Sequence, residues 1–511
     1  MSQQPIATVV PTEAQHGLSG RPVGAAFKRK SVRGGAAAFF GQGFGSVLQI
    51  GTTIILARLL SPTDYGIQSM VLSLTNFFSL FRDAGLSAAA VQSDNLTHEQ
   101  ASTLFWINMA LGALLAGLVC AASPALVIFY KEPRLLWVTL ASSSVFLFSS
   151  LSFQHHAMLD RAMRFTTSAK IGVLSASIGA AVAIGMSALG YRYWALIVQN
   201  ICLPLIDAVA VWTVMPWRPG APRRGTGIRS MVRFGGIMSL NRTVVYFAYN
   251  AEKILLGRYW GAAALGLYGR AYQLANLPVQ QTIDSVGGVA FPVLSRMQND
   301  PERLRRSYMK FHSVVVSMMI PVVIGCLVFA DQIVGAVLGS KWIGAAPVLR
   351  LLAPTVLVFA VVNPLQWLLK ATGQFARSLK ISFLLAPVVI LGIVAGLRHG
   401  PPGVAIGYST AMLLLWGPLV ALAKYRTVVS TADYWDCVKL PMASGAVSGI
   451  TGWLFLLTFK HSFPAIALLA LGLALMGTIY VLILLMLGQK EMYLDVLRQL
   501  RQRNDPIPEQ V

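Results

Sequence analysis

Residues 464–487 read PAIALLALGLALMGTIYVLILLML, a long run without a single charged side chain. In an α-helix about 20 such residues cross the roughly 30 Å hydrocarbon core of a bilayer. The pattern is not confined to this stretch. Working back toward the N-terminus, apolar runs of similar length recur throughout. Fourteen candidate spans fall near residues 34–57, 64–88, 101–122, 134–155, 166–189, 193–214, 231–252, 263–292, 307–329, 344–369, 378–397, 403–423, 438–459 and 464–487. Ser61-Pro62, Pro219-Gly220 and Gly400-Pro401-Pro402 punctuate the connectors as turn signals. Open sheet edges cannot be satisfied in lipid, so the spans are expected to be helices.

Composition agrees. Of the 511 residues, 55% are hydrophobic and 12% charged, and mean hydropathy is +0.64. Soluble domains are about one quarter charged, so a soluble multidomain reading is excluded. Cys120, Cys202, Cys326 and Cys437 form no C-x-x-C pair, which argues against a disulfide framework or a zinc site. About 30 polar or mixed residues precede the first apolar run, the wrong order for a cleavable signal peptide.

The net charge of +22 would suggest nucleic acid on a soluble protein. Here the basic residues fall mostly between spans and report topology instead. An even number of spans places both termini on one side. Twenty-eight of the 41 Lys and Arg residues fall on that side and nine on the other, so both termini are expected in the cytoplasm. Four arginines belong to neither side: Arg82, Arg242, Arg270 and Arg350.

There is also an internal echo. Ile55-Leu56-Ala57-Arg58 is followed by Gly66-Ile67, and Leu255-Leu256-Gly257-Arg258 by Gly266-Leu267, an offset of 200 residues or six spans. The expected plan is an all-α integral membrane protein with two six-helix bundles and two further helices. It comprises a basic N-terminal tail (1–33), a first bundle (34–214), a basic linker (215–230), a second bundle (231–424), two added helices (425–487) and a C-terminal tail (488–511). Repeats of this kind mark transporters, whose substrate site lies in a central cavity between the halves.

Several local motifs have ordinary readings. The Gly41–Gly45 run lacks the strand and the Lys-Ser/Thr of a phosphate loop and reads as a helix-packing surface. Asn95-Leu96-Thr97 and Asn241-Arg242-Thr243 fall where glycosylation is not expected. His155-His156 has no H-E-x-x-H context and reads as a pair at the membrane interface; no metal is implied. Prolines 204, 278, 292, 321, 354, 364, 387 and 418 kink helices, as is ordinary in membranes.

Ionisable residues inside spans are the sharpest signal, since an Arg at mid-bilayer costs about 2.5–3.5 kcal/mol on insertion scales. Arg82, Arg242 and Arg270 are the candidates for an anionic ligand, because guanidinium grips phosphate oxygens as a fork. Asn241, Gln273 and Gln49 are polar companions. Asp83, Asp284 and Glu252 are candidates for a coupling ion or for neutralising a neighbouring Arg. Arg350 reads better as an interface residue.

The stretch Leu56-Ala57-Arg58-Leu59-Leu60-Ser61-Pro62-Thr63-Asp64-Tyr65-Gly66, followed by Phe81-Arg82-Asp83-Ala84-Gly85-Leu86-Ser87-Ala88-Ala89-Ala90-Val91-Gln92, resembles the opening of the polysaccharide transport family. These are Wzx-like flippases of the multidrug/oligosaccharidyl-lipid/polysaccharide exporter superfamily. Leu265-Gly266-Leu267-Tyr268 and Phe291-Pro292-Val293-Leu294-Ser295-Arg296 resemble it too, and the likeness covers about residues 30–490. The resemblance implies alternating access for an undecaprenyl-diphosphate-linked oligosaccharide. The cargo would pass from the cytoplasmic to the periplasmic face of the inner membrane, for exopolysaccharide, capsule or lipopolysaccharide. It implies a polymerase, co-polymerase and glycosyltransferases as pathway partners, and no cofactor or catalytic residues. The alternative is a multidrug/cation antiporter, which needs a cavity dominated by carboxylates, not arginines. A membrane glycosyltransferase or polymerase would need a sizeable outer loop or a carboxylate constellation.

Overall fold

The computed structural model describes residues 43–82, 97–222, 229–424, 427 and 429–487, with the side chains of 229–245, 247–249, 375–384 and 422–424 left undescribed. Most described residues in every expected span are helical, with turns at some span ends such as 80–82. Nine helical segments among them are long and apolar enough to cross a membrane. The chain divides into two compact units, one ending at Tyr246 and the other beginning at Phe247.

The first unit contains α1 (Gly43–Leu59), α2 (Pro62–Ser79), α3 (His98–Tyr130), α4 (Leu135–Arg161), α5 (Phe165–Ala188) and α6 (Tyr193–Val214). It also contains the start of α7 (Arg229–Arg296). Helix starts follow from local chemistry. Ser61 accepts from the Asp64 amide while Asp64 accepts from the Ser61 amide at 2.9 Å, and Pro62 occupies the first turn. Thr97 and Gln100 cap α3 in the same reciprocal way. Such boxes satisfy backbone N–H groups that a helix start leaves bare.

Helices α3 and α4 pack closely because Gly112 has no Cβ: one placed there would lie 2.0 Å from Ser150 Oγ and 2.9 Å from the Phe146 carbonyl. The segment after α6 is tied back to α3. Trp217 Nε1 donates to His98 Nδ1 at 3.2 Å, Trp106 Nε1 to the Gly220 carbonyl at 2.8 Å, and the Gly220 amide to Ser102 Oγ at 2.9 Å.

In the second unit, α7 is broken at Gly261, whose φ of 77° suits only glycine well. One residue thus replaces the connector expected between the seventh and eighth spans. Then follow α8 (Pro301–Val328), the short α9 (Ala330–Val337), a 3-10 turn (Ser340–Ala345) and α10 (Ala346–Ala371). Next come α11 (Phe375–Gly396), a second 3-10 turn (Leu397–His399), α12 (Gly400–Lys424), α13 (Thr431–Phe459) and α14 (Ala465–Met486). Helices α11 and α12 meet along a glycine seam. A Cβ on Gly407 would stand 1.9 Å from the Gly392 carbonyl oxygen, and one on Gly396 2.0 Å from that of Gly403. Trp260 Nε1 donates to the Leu397 carbonyl at 2.8 Å beside this hairpin.

Candidate functional site

The first unit holds a polar pocket among its helices. Arg82 sits in the unwinding turn after α2, where the amides of Phe81 and Arg82 bond to the carbonyls of Phe78 and Ser79. Its Nη1 donates to Ser149 Oγ at 3.1 Å, and the guanidinium lies 5.0 Å from the Phe153 ring centroid. Ser149 and Phe153 are one turn apart on α4, so these two contacts come from one helix face. The cavity beside it measures about 190 Å³, against the roughly 10–15 Å³ that one water requires. Thr75, Asn76, Ser79 and Arg82 line it from the α2 side, Ser142 from α4 and Asn200 from α6, with Val71, Leu72, Val145, Phe146 and Ile197 as apolar walls. The hydroxyls of Thr75, Ser79 and Ser142 donate to the carbonyls of Val71, Asn76 and Val138, so Arg82 and the carboxamides of Asn76 and Asn200 are the donors that suit a small anionic group.

In the second unit, Arg270 donates to Gln273 Oε1 one turn away on α7, joining two residues singled out from sequence. Glu252 is 1% exposed, and its Oε2 has no hydrogen-bond partner among the described residues. Next to it Lys253 donates to Asn250 Oδ1 at 2.9 Å and lies 5.8 Å from the Tyr272 ring. Asp284 and Gln49 are exposed, and neither lines the pocket. Asp83 lies outside the described residues, as do the side chains of Arg242 and Asn241. Arg350 bonds the Leu327 carbonyl at 3.0 Å and Asp331 at 2.7 Å, a half-exposed ion pair of the kind expected at an interface.

The two adjacent histidines do not act as a pair. His155 is fully buried, its ring 4.6 Å from that of Trp212 and 5.1 Å from that of Trp217. His156 turns to α6, where its Nε2 meets both carboxylate oxygens of Asp207, at 2.9 and 3.1 Å. Sequence reasoning missed Ser142, Ser149, Phe153 and Asn200. The serine density of α4, at 142–144, 149, 150 and 152, was the available signal.

The helices define an all-α, multi-pass membrane protein with a cationic pocket in its first unit. Against protein families, residues 55–347 match the model described as polysaccharide biosynthesis protein. The chain belongs to that family. Among curated relatives it is 26% identical over 447 residues to the teichuronic acid biosynthesis protein TuaB of Bacillus subtilis, covering 86% of this chain and 92% of the relative. It is also 26% identical over 450 residues to the succinoglycan biosynthesis transport protein ExoT of Rhizobium meliloti, covering 86% and 89%. Among solved structures, the lipid II flippase MurJ in an inward closed conformation superposes with a TM-score of 0.72 at 13% identity, covering 90% of this chain and 99% of that one. At that identity the likeness concerns the fold.

Proposed function

We propose that the chain flips a lipid-linked oligosaccharide across the bacterial inner membrane, from the cytoplasmic to the periplasmic face, by alternating access. The cargo would feed exopolysaccharide, capsule or lipopolysaccharide assembly, and the carrier itself performs no covalent chemistry. Family membership and the name of the transport relative support the cargo class. The observation that carries the site is Arg82, braced by Ser149 and Phe153 over a polar pocket. In this reading it receives the diphosphate of the lipid carrier. Arg270, braced by Gln273, offers the second unit a cationic handle of its own, and Arg242 is a third candidate. Glu252 is the coupling-ion candidate best supported by burial.

The test is genetic and chemical. In a strain lacking the gene, lipid-linked oligosaccharide is expected to accumulate on the cytoplasmic face. Wild-type protein should clear it. Arg82→Gln should leave most of it, because losing one charged hydrogen-bond donor costs about 1.5–3 kcal/mol. Full clearance by Arg82→Gln, at matched protein level, would remove Arg82 from the site.

A further inference from the structure

The pocket and the His156–Asp207 pair lie on one seam between α4 and α6. On α4, Ser149 and Phe153, which hold Arg82, share a helical face with His156, at spacings of seven and three residues from it. On α6, the pocket residue Asn200 and Asp207 are likewise seven apart. Seven residues rise about 10 Å, so the Arg82 and Asn200 edge of the pocket lies roughly two helical turns from the pair, with Ser142, Val145 and Phe146 lining its farther part. A third helix completes the cluster: Ser168 Oγ on α5 lies 3.3 Å from His156 Nδ1. Both ring nitrogens are therefore engaged, one by a carboxylate, and the two side chains are only 26% and 21% exposed.

Such a pair exists in two charge states. With the imidazole protonated it is neutral overall; without that proton it carries −1. We propose that His156 and Asp207 form a proton-binding site linked to the Arg82 pocket, so that an anion entering the pocket draws a proton onto the pair. This rests on the anionic-cargo reading of the pocket. The sign follows from Coulomb's law, because a bound anion opposes the −1 form of the pair and not the neutral one. At about 10 Å and an effective dielectric of about 20, one unit charge changes proton affinity about tenfold. Linkage is reciprocal, so the proton strengthens anion binding by the same factor. The other charged groups at this end are few. Asp160 stands half-buried one turn from His156 on α4, and Arg218 is exposed in the segment after α6. Arg161 stands half-buried at the end of α4, while Arg164 and Lys170 are exposed around the start of α5.

The experiment uses the full chain in detergent and inorganic sulfate as probe, because sulfate keeps its charge between pH 5 and pH 8. Sulfate carries two charges, so at the same distance and dielectric wild-type affinity should fall about a hundredfold from pH 5 to pH 8. The His156→Gln/Asp207→Asn double variant should bind sulfate with a flat profile. In a weakly buffered solution near the middle of the slope, wild-type protein should take up protons as sulfate binds, a readout that needs no variant. A flat wild-type profile, a double variant with the wild-type slope, or proton release in place of uptake would each overturn the linkage and leave the pocket standing. Arg82→Gln with wild-type sulfate affinity at every pH would instead overturn the pocket reading.

Discussion

Gly407 and Gly417 lie on the same helix, ten residues apart, and the same substitution should act on them very differently. A Cβ on Gly407 would stand 1.9 Å from the Gly392 carbonyl oxygen and 2.7 Å from its carbon, where real contacts stop near 3.0 Å. The obstacle is backbone, which has no rotamer to escape into. Helices α11 and α12 must therefore open by at least about 1 Å along the seam. A gap of about 0.5–1 Å already forfeits a quarter to a half of each dispersion well. Val389, Ile393, Val404 and Tyr408, all buried to within 1%, would lose contact together. The expected cost of Gly407→Ala is about 2–3 kcal/mol, within the usual range for overpacking. At Gly417 nothing beyond its chain neighbours lies within 4 Å of an added Cβ. The Pro418 ring disfavours a helical residue with a Cβ before it, which offsets the helix preference for alanine of about 1 kcal/mol, so Gly417→Ala should be close to neutral. Thermal unfolding of the purified protein, followed by tryptophan fluorescence, should separate the two: Gly407→Ala lowers Tm and Gly417→Ala leaves it nearly level. If both variants shift Tm equally, the seam is not a close backbone contact and the reasoning fails.

Other substitutions test the charged and aromatic groups. His155→Phe should change stability by less than about 1 kcal/mol, since the new ring occupies the same Trp212–Trp217 nest. His156→Phe strands Asp207 and should cost about 1–3 kcal/mol; equal Tm values for the two variants would contradict the assigned side-chain directions. In the connector before α4, Arg134 bonds Glu132 at 2.7 and 2.8 Å and holds its carboxyl below the ordinary range. A depressed carboxyl pKa stabilises the fold above the unfolded value of about 4.3 and loses that contribution as pH falls through the folded value. Wild-type and Arg134→Gln should therefore differ slightly in stability at pH 7, by less than about 1 kcal/mol, and their Tm curves should converge as pH falls through the lowered folded value. Divergence in acid would contradict the pairing.

Spans were legible because a bilayer demands long apolar helices whatever surrounds them. The 193–214 reading coincides with α6, and 464–487 comes within a residue of α14 at each end. Where the readings stop short, a local device intervenes. Helix α13 begins at Thr431 rather than near 438, because Ser430 and Asp433 cap it and Arg305, on α8, pairs with Asp433. The α9 helix has only eight residues, too few to register as a span. Arg82 was visible from sequence as a charge without a loop to account for it. Its braces were not, since Ser149 is 67 positions away. Asp207 lies 51 positions from His156 for the same reason: helix packing, not spacing along the chain, brings them together. The division into units near residue 246 falls inside α7, where no composition change marks it.

Helix α3 has 33 residues, about 50 Å of length at 1.5 Å per residue. A bilayer offers about 30 Å of hydrocarbon and about 40–45 Å with its head groups. The helix cannot shorten by fraying, because Thr97 and Gln100 lock one end and Lys131 closes the other with a left-handed cap. Its excess length is taken up by tilting, by bending at Pro124 or by local thickening of the bilayer, and more so in thin membranes. Its first turns are lashed to the segment leaving α6 through Trp217, Gly220 and Ser102. Any change of lean is thus handed to α6, one wall of the Arg82 pocket. Acyl-chain length of the host lipid becomes a variable the pocket feels, and activity compared across reconstitutions is comparable only at matched bilayer thickness.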